Sequence, residues 1–347
     1  MSSRSTTAIA PAAPPNGRGR PAASINGASL PRPARVSRKH SALSSLLPQL
    51  FDFKNGRPDM RFTTYLKNAQ PRLAVVNGDD AIDLADAVPG TPTDMRAALE
   101  TGVDLVAAGR RAIESKAPRL AMQSVQLAPL VTEPGKIICL GLNYFDHAKE
   151  GGRTEKPSYP WFFYRGKSSL IGHGQPGIVP KVSSKFDYEA EMAVVISKKV
   201  PRHTKEADAL QYVFGYSCFN DMSVRDYQKK TGQWTIGKNF DGTGGFGPTL
   251  VTADELAPGA TGLRIQSRLN GQVMQDSNTD DMIFSVAETI MLLAECMTLE
   301  PGDAIIMGTP AGVGQARTPP VWMKAGDTIE IEIDNIGILS NPIADEA

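Results

Sequence analysis

The sequence predicts a β-rich mixed α/β fold, a mixed β-sandwich or roll, with a small α+β domain at its N-terminal side. Six strand candidates follow residue 135 and outnumber the helices of that region. Their spacing is uneven and broken by glycine and proline, whereas a doubly wound sheet alternates strands and helices regularly. Ahead of them, residues 60–130 hold three short strand candidates and then a helical stretch.

The first 59 residues differ in composition from the remainder. Arginine and lysine occur without any acidic residue before Asp52, and proline, alanine and serine dominate. Such a segment buries too little apolar surface to offset the entropy of ordering, so we expect a disordered extension. Three origins stay open: a transit peptide, because these are rich in Arg and Ser and poor in acid; a plain disordered arm; or a translation-start artefact, because Met60 directly opens a strand-like run.

A small α+β domain is expected over residues 60–130. Arg61–Lys67 and Arg72–Asn77 have the pattern of a β-hairpin, and Ala81–Leu84 is a third strand candidate. Apolar residues then recur at helical spacing over Met95–Ser115, which predicts one or two helices. A proline-rich hinge at 128–134 places the boundary with the second domain, residues 131–347.

The second domain is expected to be strand-rich. One clear helix is predicted at Ser285–Met297, because Val286, Ile290 and Leu293 recur at helical spacing. The predicted strands are Lys136–Leu142, Glu189–Lys198, Val213–Asn220, Leu263–Leu269, Ala304–Met307 and Thr328–Ile333.

Composition excludes several classes of partner. The 37 basic and 37 acidic side chains cancel, so neither nucleic acid nor an anionic membrane surface is favoured as a partner. No apolar run reaches the roughly 18 residues of a spanning helix. Cys139, Cys218 and Cys296 are far apart and odd in number, so we expect buried thiols in a reducing compartment. The expected location is the cytoplasm, or the mitochondrion if the extension is a transit peptide.

Two sequence patterns resemble nucleotide-binding motifs without meeting their requirements. The run Gly242–Gly247 matches GxGxxG, but Pro248 and a strand-like stretch follow it where a helix is needed. Gly166-Lys167-Ser168 resembles the end of a phosphate loop, but Trp161 occupies the position of its first glycine. Neither pattern predicts a nucleotide site.

Two glutamates in an apolar strand candidate predict a cation site. Glu189 and Glu191 are two residues apart, so they point to the same face, roughly 6.5–7 Å from each other. Ala193 and Val195 share that face, and the opposite face is apolar as well, so the strand is expected to be buried. Two buried carboxylates are costly unless positive charge lies between them, and a divalent metal ion is the simplest source.

A third carboxylate can complete this site. Asp221 directly follows the strand candidate Val213–Asn220, although capping of the following turn explains it equally well. Asp187 shares the strand face of the two glutamates and is a reserve ligand. Carboxylates without a histidine or cysteine ligand favour a hard cation, Mg²⁺ or Mn²⁺, over Zn²⁺.

Two further groups of residues are candidates for catalysis or substrate binding. His147 and Glu150 are three residues apart, so they would touch on one helical turn. The carboxylate can then orient the imidazole as a general base. The alternative is a histidine that packs at a surface loop. Arg225, Gln228 and Lys238 follow Asp221 and suit an anionic substrate, or they are ordinary solvated side chains.

A glycine-rich run follows the strand candidate Ala304–Met307. The glycines of Gly308–Gly314 let backbone N–H groups approach a carboxylate closely, with a tight turn as the alternative.

Together these motifs resemble the fumarylacetoacetate hydrolase family over nearly all of residues 60–343. The residues that carry the resemblance occur in the family's order: Gly141–His147, Asp187–Glu191, Asn220–Asp226, Gly237-Lys238 and Gly308–Gly314. One departure is the glycine-rich Gly242–Phe246, which we expect to form a more mobile loop. The resemblance implies the family's mixed β-roll fold, a catalytic domain over residues 131–347 and a homodimer.

The resemblance also implies residue roles. The metal ligands fall on Glu189, Glu191 and Asp221, with Mg²⁺, Mn²⁺ or Ca²⁺ as the cofactor. The catalytic residues fall on His147, Glu150 and Lys238, and the substrate-binding residues on Arg225, Gln228 and Thr309.

The implied substrate is a small 2-oxo acid or 1,3-dicarbonyl compound. We expect hydrolysis of a C–C bond of the acylpyruvate type, with water activated by His147 and Glu150 and a metal-stabilised enolate as the leaving group. Isomerisation, tautomerisation or decarboxylation of an oxo-dicarboxylate, of the 5-carboxymethyl-2-hydroxymuconate or oxaloacetate type, is the alternative. A binding protein on an inactive enzyme fold is a third hypothesis, against which the intact set of site residues argues.

Overall fold

The computed structural model describes residues 60–347. The extension expected over residues 1–59 therefore lies outside the described residues. Within the described range, eighteen strands and eight α-helices form the fold.

The strands fall into two large sheets and a short pair. Their bounds are β1 Arg61–Lys67, β2 Gln70–Asn77, β3 Asp80–Asp83, β4 Arg119–Ala121, β5 Ile137–Gly141, β6 Trp161–Tyr164, β7 Leu170–Ile171, β8 Gly177–Val179, β9 Phe186–Asp187, β10 Ala190–Ile196, β11 Val213–Asp221, β12 Ser223–Val224, β13 Gly244–Thr252, β14 Arg264–Leu269, β15 Gln272–Asn278, β16 Ala304–Ile306, β17 Thr328–Ile333 and β18 Gly337–Asp345.

The helices are short, with two exceptions of ten and eleven residues. Their bounds are α1 Leu84–Ala87, α2 Met95–Glu100, α3 Leu105–Glu114, α4 Phe145–Glu150, α5 Glu206–Ala209, α6 Arg225–Gln228, α7 Thr235–Lys238 and α8 Val286–Cys296. Side-chain oxygens cap the start of several of them; Asp94, Asp104 and Ser285 accept hydrogen bonds from N–H groups in the first turns of α2, α3 and α8.

The larger sheet positions the functional side chains. Within residues 60–347 it has the order β4-β3-β2-β1-β13-β11-β10-β16-β5-β6, with β7 paired to β13. Most neighbours are antiparallel, but β16 and β5 run parallel, so the sheet is mixed. Because β1 pairs with β13, the N-terminal strands continue the main sheet; a domain boundary near residue 130 stays a prediction.

A second sheet, of order β15-β14-β17-β18-β8, packs against one face of the first. Met192, Val194 and Ile196 of β10 enter the core between the two sheets, together with side chains of α8. Ala193 and Val195 enter the opposite core, which contains side chains of α2 and α3. The two-faced burial expected for this strand is confirmed, as is the β-rich sandwich or roll.

All six strands predicted after residue 135 and the helix at 285–297 are confirmed to within a few residues, as are the elements predicted from 61 to 115. The sequence analysis missed β6, β15 and β18, and it also missed the short strands β4, β7, β8, β9 and β12. The strand β15 contains few apolar residues and therefore shows no clear alternation. The strand β18 contains Pro342, which weakens its strand pattern.

The prediction of a mobile loop over Gly242–Phe246 was wrong from Gly244 onward. Residues 244–252 form β13, which is buried between β1 and β11. The glycines allow close packing there: a Cβ on Gly245 would lie 2.7 Å from Oδ1 of Asn341, and one on Gly244 would lie 3.2 Å from Nη1 of Arg165. Glycine at these positions therefore indicates tight packing rather than mobility.

Cysteine burial was predicted correctly at two of the three positions. Cys139 and Cys218 are buried, whereas Cys296, the last residue of α8, is exposed. Among the described residues, none of the helices is long and apolar enough to cross a membrane.

Gly237 of α7 makes a testable contribution to stability. A Cβ at this position would lie 2.3 Å from the backbone N of Gln228 in α6. Alanine usually favours a helix over glycine by about 1 kcal/mol. We nevertheless expect Gly237→Ala to lower the free energy of unfolding by about 1–3 kcal/mol, because the backbone of α6 or α7 must shift to make room for the Cβ.

Urea unfolding measures this effect, with Gly232→Ala as the matched control. A Cβ on Gly232 meets nothing within 4 Å. The control is expected to unfold within about 1 kcal/mol of the wild type. Equal or greater stability of Gly237→Ala would contradict the packing argument.

Candidate functional site

The strand register brings three carboxylates together. Glu189 directly precedes β10 and Glu191 lies within it, so both point to one face. In the adjacent strand β11, Asn220 pairs with Ala190, and the N–H of Asp221 donates to the carbonyl of Glu189 at 3.0 Å. One carboxylate oxygen from each of Glu189, Glu191 and Asp221 lies within 4.8 Å of the others. The three sequence-predicted ligands therefore form one buried cluster.

Two cationic side chains bind this cluster directly. Nζ of Lys238, from α7, lies 2.5 Å from Glu189 and 2.6 Å from Asp221. Nη1 of Arg225, from α6, lies 2.6 Å from the other oxygen of Glu189. Arg165, which directly follows β6, forms a buried ion pair with Asp221. Glu189 thus lies between Lys238 and Arg225, and Asp221 lies between Lys238 and Arg165.

Glu191 forms no ion pair with a lysine, arginine or histidine of residues 60–347. Its hydrogen bond among the described residues comes from the N–H of Gly308, at 2.6 Å. Burial, with the nearby charges of Asp221 and Glu189, raises the pKa of Glu191 well above its usual value. For Glu189, burial alone would raise the pKa, but Arg225 and Lys238 overcome this and lower it. Lys238 acts on Glu191 only from a distance, so the described residues give Glu191 no direct cationic partner.

The balance of buried charge supports the same conclusion. The buried groups of the site are four carboxylates and three cations, so one negative charge is uncompensated when all four carboxylates are ionised. These groups are Asp187, Glu189, Glu191 and Asp221, and Arg165, Arg225 and Lys238. A donor set of hard carboxylate oxygens with excess negative charge fits a divalent cation such as Mg²⁺ or Mn²⁺.

Asp187 orients the site and lies outside the three-carboxylate cluster. Its carboxylate accepts from Nε of Arg225 at 2.8 Å and from the backbone N–H groups of Gly314 and Gln315 at 2.8 and 3.0 Å. The carboxylate considered as a reserve ligand is therefore already satisfied. It connects Arg225 to the glycine-rich turn.

The predicted contact between His147 and Glu150 is present on α4, at 3.3 Å from Nδ1 to Oε2. The other oxygen of Glu150 accepts from the N–H of Gly312 at 2.7 Å. The carbonyl of Gly312 accepts in turn from the hydroxyl of Tyr188, at 3.2 Å. The glycine-rich turn thus fixes the carboxylate that contacts the histidine.

The glycine-rich turn brings backbone N–H groups close to carboxylates, as the sequence suggested. The N–H groups of Gly308, Gly312 and Gly314 each donate to a carboxylate of this chain. Thr309 lies in the same turn, and its hydroxyl accepts from Nε2 of Gln275 at 2.7 Å. The turn is therefore a structural part of the site.

A cavity of about 560 Å³ connects the carboxylate cluster with the histidine pair. Every sequence-predicted site residue lines it except Asp221 and the reserve ligand Asp187, which are both fully buried. The predicted residues in the lining are His147, Glu150, Glu189, Glu191, Arg225, Gln228, Lys238 and Thr309.

Sequence reasoning missed part of the cavity wall. Phe163 and Trp234 line the cavity, as do Lys229 and Gln315. Phe163 lies in the aromatic run Trp161–Tyr164, which is a strand signal that could have been recognised. Trp234 gave no periodic signal, because it is an isolated aromatic residue in a polar stretch.

This chain is similar to known proteins over most of its length. A family model described as fumarylacetoacetate (FAA) hydrolase, C-terminal, matches residues 136–344. The mitochondrial oxaloacetate tautomerase fahd2 of Xenopus laevis is 41% identical over 273 residues, which is 78% of this chain and 85% of the relative. Relatives from rat, human and cattle have the same enzyme name.

Solved structures share the architecture. The fumarylacetoacetate hydrolase of Exiguobacterium antarcticum superimposes with a TM-score of 0.73 at 32% identity, covering 83% of this chain and 100% of the other. The 5-carboxymethyl-2-hydroxymuconate delta-isomerase of Mycobacterium smegmatis has a TM-score of 0.66 at 27% identity, with the same coverage. The similar proteins thus include a tautomerase, a hydrolase and an isomerase.

The buried pair of Asp187 and Arg225 is testable by substitution. Asp187→Asn leaves the buried guanidinium of Arg225 without its carboxylate partner at Nε. We expect the free energy of unfolding to fall by about 1–3 kcal/mol, because the buried donors of Arg225, Gly314 and Gln315 lose their charged acceptor, while Glu189 still pairs with Nη1 of Arg225.

Denaturant unfolding of Asp187→Asn can be compared with that of Asp276→Asn. The control removes a carboxylate from an exposed pair with Arg264. It is expected to change stability by about 1 kcal/mol or less. Similar losses in the two variants would show that burial of the Asp187 pair is not the source of its contribution.

Proposed function

Because this chain belongs to the fumarylacetoacetate hydrolase family, and is therefore an enzyme, we propose that it interconverts the keto and enol forms of a 2-oxo dicarboxylate of the oxaloacetate type. The cavity that joins the His147–Glu150 pair to the three-carboxylate cluster is the observation that carries this proposal. The name of the Xenopus relative, at 41% identity, supports this choice of reaction.

We assign Glu189, Glu191 and Asp221 as ligands of a divalent cation, Mg²⁺ or Mn²⁺ in the first instance, with Ca²⁺ as a further candidate. When bound, such a cation supplies Lewis-acid stabilisation of the negative charge that develops on the 2-oxo group. Lys238 stays protonated, because Asp221 and Glu189 raise its pKa against the effect of burial. Its ammonium group adds positive charge on the same side of the cavity.

Arg225, Gln228 and Thr309 are assigned to binding of the substrate carboxylates. Nη2 of Arg225 is buried and has no hydrogen-bond partner among the described residues, although the other guanidinium nitrogens are used. A substrate carboxylate satisfies this donor. Gln228 accepts from Nη1 of Arg225 at 3.0 Å and fixes the guanidinium plane.

His147 is assigned as the proton shuttle. Glu150 contacts Nδ1, which keeps the proton on that nitrogen and leaves Nε2 free to accept one. Nε2 takes the proton from the carbon next to the 2-oxo group, and the proton returns to oxygen to give the enol. Keto and enol have the same atoms, so no water or second reactant enters the balance.

Hydrolysis of an acylpyruvate is the second candidate, favoured by the similarity to the hydrolase from Exiguobacterium antarcticum. In that reaction His147 removes a proton from water, the hydroxide adds to the distal carbonyl, and the C–C bond breaks to release the enolate of pyruvate. This reaction was the first expectation from the sequence, and it stays a prediction. Decarboxylation of oxaloacetate at the same site likewise stays a prediction.

Oligomeric state and location complete the proposal. We propose a homodimer, as the family resemblance implies, and a sedimentation experiment tests it. The names of relatives include the word mitochondrial, which supports the transit-peptide alternative for residues 1–59. Amino-terminal sequencing of the native protein tests that alternative.

The proton shuttle predicts the effect of removing His147. In the presence of Mg²⁺, His147→Asn is expected to lower kcat for keto–enol exchange of oxaloacetate by roughly 100-fold or more, because a positioned base contributes that much. The enol absorbance of oxaloacetate measures the rate. Cleavage of acetylpyruvate is measured in parallel to separate tautomerase from hydrolase.

His203→Asn is the matched control. His203 is exposed, does not line the cavity, and has a positive φ that asparagine tolerates. The control should retain wild-type rates. Full activity of His147→Asn would exclude the shuttle, and cleavage of acetylpyruvate without oxaloacetate exchange would replace the tautomerase by the hydrolase.

Metal binding is testable without any assay of activity. Glu191→Gln removes one anionic ligand, and we expect the affinity for Mn²⁺ in a calorimetric titration to fall by at least roughly 100-fold, more than outer-shell changes usually cause. Glu295→Gln, at an exposed glutamate of α8, is expected to bind like the wild type. Unchanged affinity of Glu191→Gln would refute the ligand assignment.

A further inference from the structure

We propose that an aromatic wall of the cavity is a second subsite, which accepts a planar apolar group at the distal end of a 2-oxo acid. The wall consists of Phe163 and Trp234, with Trp161 behind them. This inference rests on the proposed function, because it assumes that the 2-oxo-carboxylate end lies at the carboxylate cluster. It extends the substrate class from dicarboxylates to arylpyruvates.

The wall is a continuous aromatic surface. The rings of Phe163 and Trp234 meet edge to face, with centroids 5.9 Å apart. Trp161 stacks on Trp234 at 5.6 Å with an interplanar angle of 12°. Leu140, Leu142 and Val313 add apolar surface to the lining. A planar apolar group is the ligand that such a surface suits best.

The wall begins beside the reacting groups. Nζ of Lys238 lies 5.2 Å from the centroid of the Phe163 ring, and the same atom lies 2.5 Å from Glu189. A 2-oxo acid held near Lys238 therefore has its distal carbons within reach of Phe163 and Trp234. The two subsites are adjacent parts of one cavity.

The wall is also fixed in place before any ligand binds. A Cβ on Gly141, at the end of β5, would lie 2.0 Å from Cζ3 of Trp234, so the indole edge packs directly on the strand backbone. The guanidinium of Arg153 lies 4.9 Å from the ring of Trp161. A preformed surface costs little ordering entropy on binding.

The size of the cavity supports the same inference. Its volume of about 560 Å³ lies in the range of pockets that hold drug-sized ligands. A four-carbon diacid satisfies the polar end and leaves the aromatic wall uncovered. An aryl group at the third carbon of pyruvate covers that wall, and phenylpyruvate exchanges keto and enol forms by the same proton transfer.

Phenylpyruvate is the probe that tests the subsite. Its affinity for the Mg²⁺-loaded protein is measured by calorimetry, and its Ki is measured against oxaloacetate exchange. We expect it to bind the wild type, and we expect Trp234→Leu to weaken that binding roughly three- to tenfold, as loss of an aromatic contact predicts. The ratio of phenylpyruvate affinity to oxaloacetate affinity should fall by a similar factor.

Two further variants make the result decisive. Trp234→Phe keeps an aromatic ring and should recover part of the lost affinity, which also guards against misfolding of the leucine variant. Trp322→Leu is the matched control, because Trp322 is half-buried and does not line the cavity. It should bind phenylpyruvate like the wild type.

The inference is overturned if Trp234→Leu binds phenylpyruvate like the wild type, or if Trp322→Leu weakens binding equally. Failure of the proposed function gives a different result: the wild type then exchanges no oxaloacetate, while the calorimetric effect of Trp234→Leu on phenylpyruvate binding persists. If oxaloacetate is exchanged and phenylpyruvate does not bind, the proposed function stands and the subsite is refuted.

Discussion

The compensation of buried carboxylates is the constraint on which the rest of this structure depends. Glu189 lies between Lys238 and Arg225, and Asp221 lies between Lys238 and Arg165. Charges removed from water are tolerated only when partners and hydrogen bonds surround them. Separate segments of the chain must therefore converge on one point. The cavity is lined by Glu191, the carboxylate that has no direct cationic partner among the described residues.

The mixed sheet supplies that convergence. Strands β10 and β11 present the carboxylates, while the short helices α6 and α7 after β11 return two of the cations to the same face. The glycine-rich turn after β16 adds backbone N–H groups, one of which fixes Glu150 beside His147. Rigid strands thus carry the proposed metal ligands, and turns that pack against them carry the proposed acid–base and binding groups, which suits one preorganised site.

The periodicity of strands and helices was enough to predict part of this site from the sequence. Alternation along a strand placed Glu189 and Glu191 on one face, and a three-residue step placed Glu150 beside His147; both relations are local, and both are present. The third ligand was not decided by spacing, because Asp221 at a strand end fits a turn cap equally well. The family resemblance favoured the ligand position, and the antiparallel register of β10 and β11 places it beside Glu189.

What the sequence by itself determined is therefore the β-rich class, the buried strand with its paired glutamates, and the histidine–glutamate contact, since each depends on residues a few positions apart. Only the tertiary structure decided that Arg165 compensates Asp221, that Asp187 holds Arg225 rather than joining the cluster, and that Trp234 walls the cavity. These contacts join distant segments, and a pattern read along one segment contains no information about which other segment packs against it.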